Sequence, residues 1–209
     1  SGAVINFTVN AVDANWNVAS STNTVTITSS DANATLPADA ALVAGTKNFS
    51  VTLKTAGSRT VTATNFTDPA KTANTSPGIT VNAGSFTKLQ LLMPGETASA
   101  GSASGKTGTP DAQTAGTSFT VTVNAVDANW NVVSSTNTIA ITSADVNATL
   151  PANADLVAGT KDFSITLKTA GAATITATNS TDGTKTANTS PAVTVNAGAF
   201  TKMQILVPG

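Results

Sequence analysis

The sequence predicts an all-β chain folded as two tandem antiparallel sandwiches, and three observations carry that reading. A block of sequence occurs twice at a fixed offset. Apolar residues alternate with hydroxyl residues at period two. β-Branched Thr and Val are abundant, whereas the helix formers Glu, Gln, Arg and Leu are scarce, a balance suited to a pleated, half-buried surface. The 209 residues suffice for one large domain or two of ordinary size.

The duplication reads directly from the sequence. VNAVDANWNV occupies positions 9–18 and 123–132, LKTAG 53–57 and 167–171, and KTANTSP 71–77 and 185–191, while FTK begins at Phe86 and Phe200. Each pair is 114 residues apart, so the copies align without insertion or deletion. Many differences exchange one apolar residue for another at the same phase: Val25/Ile139, Val51/Ile165, Val61/Ile175, Leu89/Met203 and Leu91/Ile205. A packed core accepts such swaps. Near-identical copies in series are the signature of a modular array.

The strands follow in chain order. Leu89, Leu91 and Met93 alternate with Lys88, Gln90 and Leu92. Phe119, Val121, Val123 and Ala125 share one face, with Thr120, Thr122 and Asn124 on the other. Ile139 and Ile141 alternate with Thr138 and Thr142. Phe163, Ile165 and Leu167 alternate with Ser164, Thr166 and Lys168. Ala173, Ile175 and Ala177 alternate with Thr174, Thr176 and Thr178, and Val193 and Val195 with Thr194 and Asn196. Short runs near positions 148–150 and 156–157 add an edge. Six or seven strands per unit, separated by Gly, Pro, Asn and Asp turns, make an antiparallel sandwich with apolar inner faces and Thr-rich outer faces.

Composition excludes several functions. Ten Lys and Arg against eleven Asp and Glu give a net charge of −1, with no basic excess for nucleic acid and no polybasic patch for a membrane surface. No apolar run is long enough to insert into a bilayer. Cys, His and Tyr are absent, which removes thiol and imidazole chemistry, His/Cys metal sites and any disulfide framework. A glycosidase would need two carboxylates across a cleft, and Asp39, Asp155 and Asp162 have no counterpart in the other copy. The chain therefore reads as a non-enzyme. It opens on no leader-like run and reads as a piece of a larger protein.

VDANWN followed by a Thr-rich strand, and then LVAGTKDFSITLKTAGAATITAT, resembles the bacterial immunoglobulin-like (Big) repeats of the invasin and intimin type. The resemblance covers nearly all of both copies. It implies two immunoglobulin-like sandwiches in an extracellular or bacterial cell-surface stalk, with neighbouring repeats or identical subunits as head-to-tail partners. Its pattern carries Asp-x-x-Gly-Asn after the second strand. Here Trp16 and Trp130 replace that glycine, which argues against a left-handed backbone and for an exposed or strand-capping indole.

Composition alone reads 96–117, rich in Gly, Ser, Ala and Thr, as a flexible linker. The resemblance instead makes FTKLQLLMPG the opening strand of the next repeat and 96–117 a long loop inside it. That register divides the chain into a repeat at 1–84 lacking its opening strand, a complete repeat at 85–198, and an opening strand at 199–209. Phe200, Met203, Ile205 and Val207 then form a donor strand for another subunit.

Two further features are candidate sites. Asp13, Asn15 and Asn17, with their copies Asp127, Asn129 and Asn131, have the alternating oxygen spacing that opens calcium loops, but no Glu follows at the twelfth position and the glycine is missing. Asx turns use the same residues to bond their own backbone, and Asp31/Asn33 and Asp145/Asn147 read the same way. No other cofactor is implied. Trp16 and Trp130 are the only tryptophans. Each either covers the end of a core or stacks on a glycan or receptor. A solvent-facing pair favours binding and a buried pair favours a spacer.

Overall fold

The structure is a computed structural model and describes residues 1–207. It is all-β, without a helix among the described residues, and divides into two compact units. The first contains Ser1–Phe86, Ser99–Lys106 and Val126–Val133; the second contains Thr87–Ala98, Thr107–Ala125 and the chain from Ser134 onward.

In the first unit, Val4–Asn10 pairs antiparallel with Thr46–Thr52, placing Phe7 opposite Phe49 with ring centroids 6.2 Å apart. A four-stranded sheet runs in the order Ala40–Ala41, Thr24–Ser29, Val61–Asn65, Asn74–Thr75, and Gly57–Arg59 pairs with Ile79–Val81. The alternation predicted from sequence turns Val25 and Ile27 of one sheet toward Phe49 and Val51 of another, and with Leu42, Leu53, Val61 and Val81 they form one core. Thr62 and Thr75 face outward and share a hydroxyl–hydroxyl bond of 2.8 Å. These are two apolar faces closed on each other, as in a sandwich.

The second unit repeats the pattern and adds further strands, of which Lys88–Leu92 matters most. Ser118–Val126 lies between Thr160–Thr166 and Lys88–Leu92. Lys88–Leu92 also bonds the opposite sheet: the Leu89 amide donates to the Thr186 carbonyl (2.9 Å) and the Leu91 amide to Asn188 Oδ1 (2.9 Å). Leu89, Leu91 and Met93 are buried, as are Val121, Val123 and Ala125 on the strand they cover. In the first unit the same positions, Phe7, Val9 and Ala11, are only half-buried, and Val4–Asn10 has Thr46–Thr52 as its single sheet neighbour among the described residues.

Two expectations are corrected. Gln90 and Asn124 do not face solvent. Both are buried, Asn124 Nδ2 donates to Gln90 Oε1 (2.9 Å), and Thr160 Oγ1 donates to Asn124 Oδ1 (2.9 Å). The pair tolerates burial because its amides satisfy each other. The stretch 96–117 is not a flexible linker. Glu96–Ala98 and Lys106–Gly108 form a hairpin, and Gln113–Thr114 pairs in parallel with Val193–Asn196. Glycines at positive φ, rather than flexibility, account for its composition: Gly101, Gly105, Gly108 and Gly116 all lie near φ 80°.

Ala44–Gly45 and Ala158–Gly159 both have positive φ, and each pair closes a two-residue hairpin loop between Val43 and Thr46 or Val157 and Thr160. This geometry belongs to a type I′ turn, which prefers Asn-Gly over Ala-Gly. Alanine in the left-handed region costs about 1 kcal/mol that asparagine largely avoids. Ala44→Asn and Ala158→Asn are therefore expected to stabilise their own units by about 0.5–1 kcal/mol each. Gly45→Ala is expected to destabilise, because its Cβ would lie 2.0 Å from the Ala19 carbonyl oxygen. Denaturant melts of the three variants check both signs.

Candidate interaction site

The turn after each copy's second-strand position is built by one carboxylate. Asp13 Oδ1 accepts from the amides of Asn15 and Asn17, both at 2.9 Å, and Asn17 Nδ2 donates to Asp13 Oδ2 at 3.0 Å. Backbone bonds from Asp13 N–H to Asn17 O and from Trp16 N–H to Asp13 O close the ring. These bonds hold Asp13 below its ordinary pKa, with the Asn17 side chain the largest cause. The oxygens of Asp13 thus serve the loop's own donors, as an Asx turn does. Among the described residues no three acidic side chains gather.

Within this turn the backbone contradicts the expectation for tryptophan. Trp16 and Trp130 both lie at φ 66°, the left-handed region that favours glycine. The clamps on either side impose the turn, and the residue between them takes the strained conformation at a cost of about 1 kcal/mol. The indoles then diverge. Trp16 is 73% exposed. Trp130 lies over Gly105, where a Cβ would come within 2.1 Å of its ring, and its Nε1–H donates to the Ala103 carbonyl. The two tryptophans are therefore not a solvent-facing pair.

Asp127 and Asn131 of the second loop are covered more fully still. Its sequence matches the first through VDANWNV, and its internal bonds are the same: Asp127 Oδ1 accepts from the amides of Asn129 (2.8 Å) and Asn131 (2.9 Å). Yet Asp127 and Asn131 are buried, whereas Asp13 and Asn17 are exposed. Asp127 Oδ2 accepts from Ser1 Oγ (2.6 Å) and the Gly84 amide (2.7 Å). Asn131 Oδ1 accepts from the Ala56 amide (2.7 Å), and its Nδ2 donates to the Lys54 carbonyl (2.8 Å). Asn129 adds a bond from its Nδ2 to Ser1 Oγ and accepts from the Gly101 amide at its carbonyl. All of these residues belong to the first unit. Burial alone would raise the Asp127 pKa, but the Ser1, Gly84 and Asn131 donors outweigh it and the net shift is downward.

A second pair of carboxylates ties each turn to the neighbouring strand. Asp31 accepts from the amides of Asn33, Lys54 and Thr55 and from the Thr55 hydroxyl, and Asp145 repeats this with Asn147, Lys168 and Thr169. For Asp31, burial pushes the pKa up and the four donors more than reverse it. For Asp145, the Thr169 hydroxyl leads the lowering. The Asp-x-Asn signal identified the local turn in both copies, but the reach to LKT across 23 residues leaves no mark in a single sequence. Phe200, Met203, Ile205 and Val207, the candidate donor strand, are all exposed and lie outside any strand.

No protein-family model and no curated protein matches the chain. Solved structures do. The D0–D1 domains of intimin match 93% of this chain and 90% of theirs, at 18% identity and a TM-score of 0.33. Domains 5–6 of the S-layer protein SbsC match 95% and 91%, at 22% identity and 0.34. InvD of Yersinia pseudotuberculosis matches over 98% of this chain, which spans 56% of InvD, at 21% identity and 0.34. The chain is similar to these immunoglobulin-like surface-protein domains, and at such identities and scores the likeness is confined to the fold.

Two measurements check this geometry. In single-tryptophan variants, aqueous iodide is expected to quench Trp16 readily and Trp130 weakly. Trp16→Gly is expected to be neutral or to stabilise by up to about 1 kcal/mol through relief of left-handed strain, whereas Trp130→Gly also loses its packing and destabilises. Acid has a defined effect too. Asp31, Asp127 and Asp145 bind protons less readily when folded than at the ordinary 3.8, so the unfolded chain takes up more protons as pH falls. Their stabilisation is complete above about pH 5 and is lost as pH drops through 4 toward the folded values. Asp31→Ala is expected to remove about 2–3 kcal/mol by orphaning its buried donors, and to flatten this acid limb in urea melts.

Proposed function

We propose that the chain is a structural repeat of an extracellular bacterial stalk or fibre, acting as a spacer whose copies join head to tail by strand complementation. One observation carries this reading. Val4–Asn10 offers an open edge and a half-buried apolar face, whereas its copy Ser118–Val126 has both filled by Lys88–Leu92. A sequence like that of Lys88–Leu92, KMQIL for KLQLL, recurs 114 residues later at 202–206, with Met203, Ile205 and Leu206 exposed. Asn188, which receives the Leu91 amide, has an exposed counterpart in Asn74. An unfilled sheet edge and a spare strand of matching sequence are the two halves of strand addition. Exposed hydroxyl-rich faces of low charge suit a spacer that makes few other contacts.

A second reading, a carbohydrate- or receptor-binding module, draws on the exposure of Trp16 beside exposed Val12 and Val18. A glycan-array screen with Trp16→Ala and Trp130→Ala as controls separates the two, since a spacer gives no tryptophan-dependent signal.

Light scattering across concentration tests the assembly. The full chain is expected to associate, and deletion of residues 199–209 is expected to leave it monomeric. A peptide of residues 199–209 is expected to bind the truncated chain and raise its melting temperature. A truncated chain that ignores the peptide, or a full chain that stays monomeric, overturns strand exchange.

A further inference from the structure

Residues 12–18 and 126–132 have the same sequence, the same internal hydrogen bonds and the same left-handed tryptophan. Their surroundings differ. The second loop uses Asp127 Oδ2 and both ends of the Asn131 amide to bond outward, to the Gly84 amide, the Ala56 amide and the Lys54 carbonyl. The first loop presents Asp13 and Asn17 to solvent. The three receiving groups are backbone atoms of two short motifs, and both motifs recur. Lys54-Thr55-Ala56 returns as Lys168-Thr169-Ala170, and Ala83-Gly84 as Ala197-Gly198. The originals are half-buried under the second loop, and the copies are exposed.

From this we infer that residues 12–18 are a docking loop for a second copy of this chain, seated on Lys168-Thr169-Ala170 and Gly198. Asn17 Nδ2 donates to the Lys168 carbonyl, Asn17 Oδ1 accepts from the Ala170 amide, and Asp13 Oδ2 accepts from the Gly198 amide. The occupant is identified by sequence: a loop of this composition is seen seated on a surface of this composition, and one further loop and one further surface stand open. Both lie at the ends that strand complementation would bring together. Val4–Asn10, the strand that would receive residues 202–206, runs directly into residues 12–18, just as Ser118–Val126 runs into the covered loop. Gly84 precedes the strand Lys88–Leu92, just as Gly198 precedes residues 202–206. The inference deepens the head-to-tail reading and rests on it. Docking fixes the angle of a joint that a donated strand alone would leave loose, and it requires no charge pairing between copies.

The test uses the whole chain and measures self-association by sedimentation velocity, with melting of the dilute monomer as the control for folding. Ile205→Lys disables the donated strand. Ala170→Pro removes the amide offered to Asn17 without breaking a hydrogen bond assigned to that amide in the single chain, and Asn17→Ala removes the loop's side of the same contact. Should Ala170→Pro fail to fold, Asn17→Ala decides the matter. Docking predicts that Ala170→Pro and Asn17→Ala each weaken association about tenfold or more. It also predicts that hydrogen exchange at Ala170 and Gly198 slows when the wild-type chain associates. Association that Ile205→Lys abolishes but the two loop variants change by less than twofold, with no slowing at those amides, overturns docking and leaves strand exchange standing. A wild-type chain that remains monomeric overturns both.

Discussion

A sandwich sheet has two edges and one apolar face, and the strand that completes both decides how dry the core becomes. Lys88–Leu92 is that strand in the second unit. It hydrogen-bonds Ser118–Val126 on one side and reaches Thr186 and Asn188 on the other, and its Leu89, Leu91 and Met93 close over the core. Where it is present, Val121, Val123 and Ala125 are fully buried, and Ala177 and Asn179 beyond them are buried too. Val4–Asn10 has no such neighbour among the described residues, and Val9, Ala11, Ala63 and Asn65 stay half-exposed although their sequence is the same or nearly so. Burying three such side chains contributes roughly 5–8 kcal/mol, and ordering five residues costs roughly as much. Tethering within one chain tips that balance toward pairing, because the strand is held at high local concentration.

With no cysteine in the chain, local geometry is held by carboxylates instead. Asp31 and Asp145 each gather donors from their own turn and from the strand end LKT, joining two segments that a disulfide could otherwise join. Asp13 and Asp127 do the same over five residues. The clamp is strong enough to hold tryptophan at φ 66°, a conformation that costs a bulky side chain about 1 kcal/mol or more. Three or four charge-assisted bonds per carboxylate outweigh that strain.

The strands were legible because each depends on alternation alone: Val121/Val123, Ile139/Ile141, Phe163/Ile165 and Val193/Val195 point inward as their period requires. Gln90 and Asn124 were not legible, since polar residues at outward phase are buried here only because each amide meets the other from a distant strand. The left-handed tryptophans are not legible for a related reason: intrinsic preference favours an ordinary backbone, and the flanking Asp and Asn override it. The hairpin over 96–108 was hidden by its composition, because glycines placed for positive φ look like glycines placed for flexibility. What no single sequence could reveal is the unequal fate of two identical loops, because the difference lies entirely in what each one touches.

That difference also shows how such a contact survives sequence drift. Asp127 and Asn131 bond backbone atoms of Lys54, Ala56 and Gly84, so the side chains at 54 and 56 are free to change as long as the chain path is kept. The exception is Gly84, where an added Cβ would sit 3.3 Å from Asp127 Oδ2. A surface that reads backbone groups through one carboxylate and one amide needs only a glycine on one side and an Asp-x-x-x-Asn clamp on the other. Both are retained in the two copies, at Gly84 and Gly198 and at Asp13/Asn17 and Asp127/Asn131, whereas the cores have exchanged valine for isoleucine at 25/139, 51/165 and 61/175. A contact made to backbone atoms in this way constrains few of the side chains on the surface it reads.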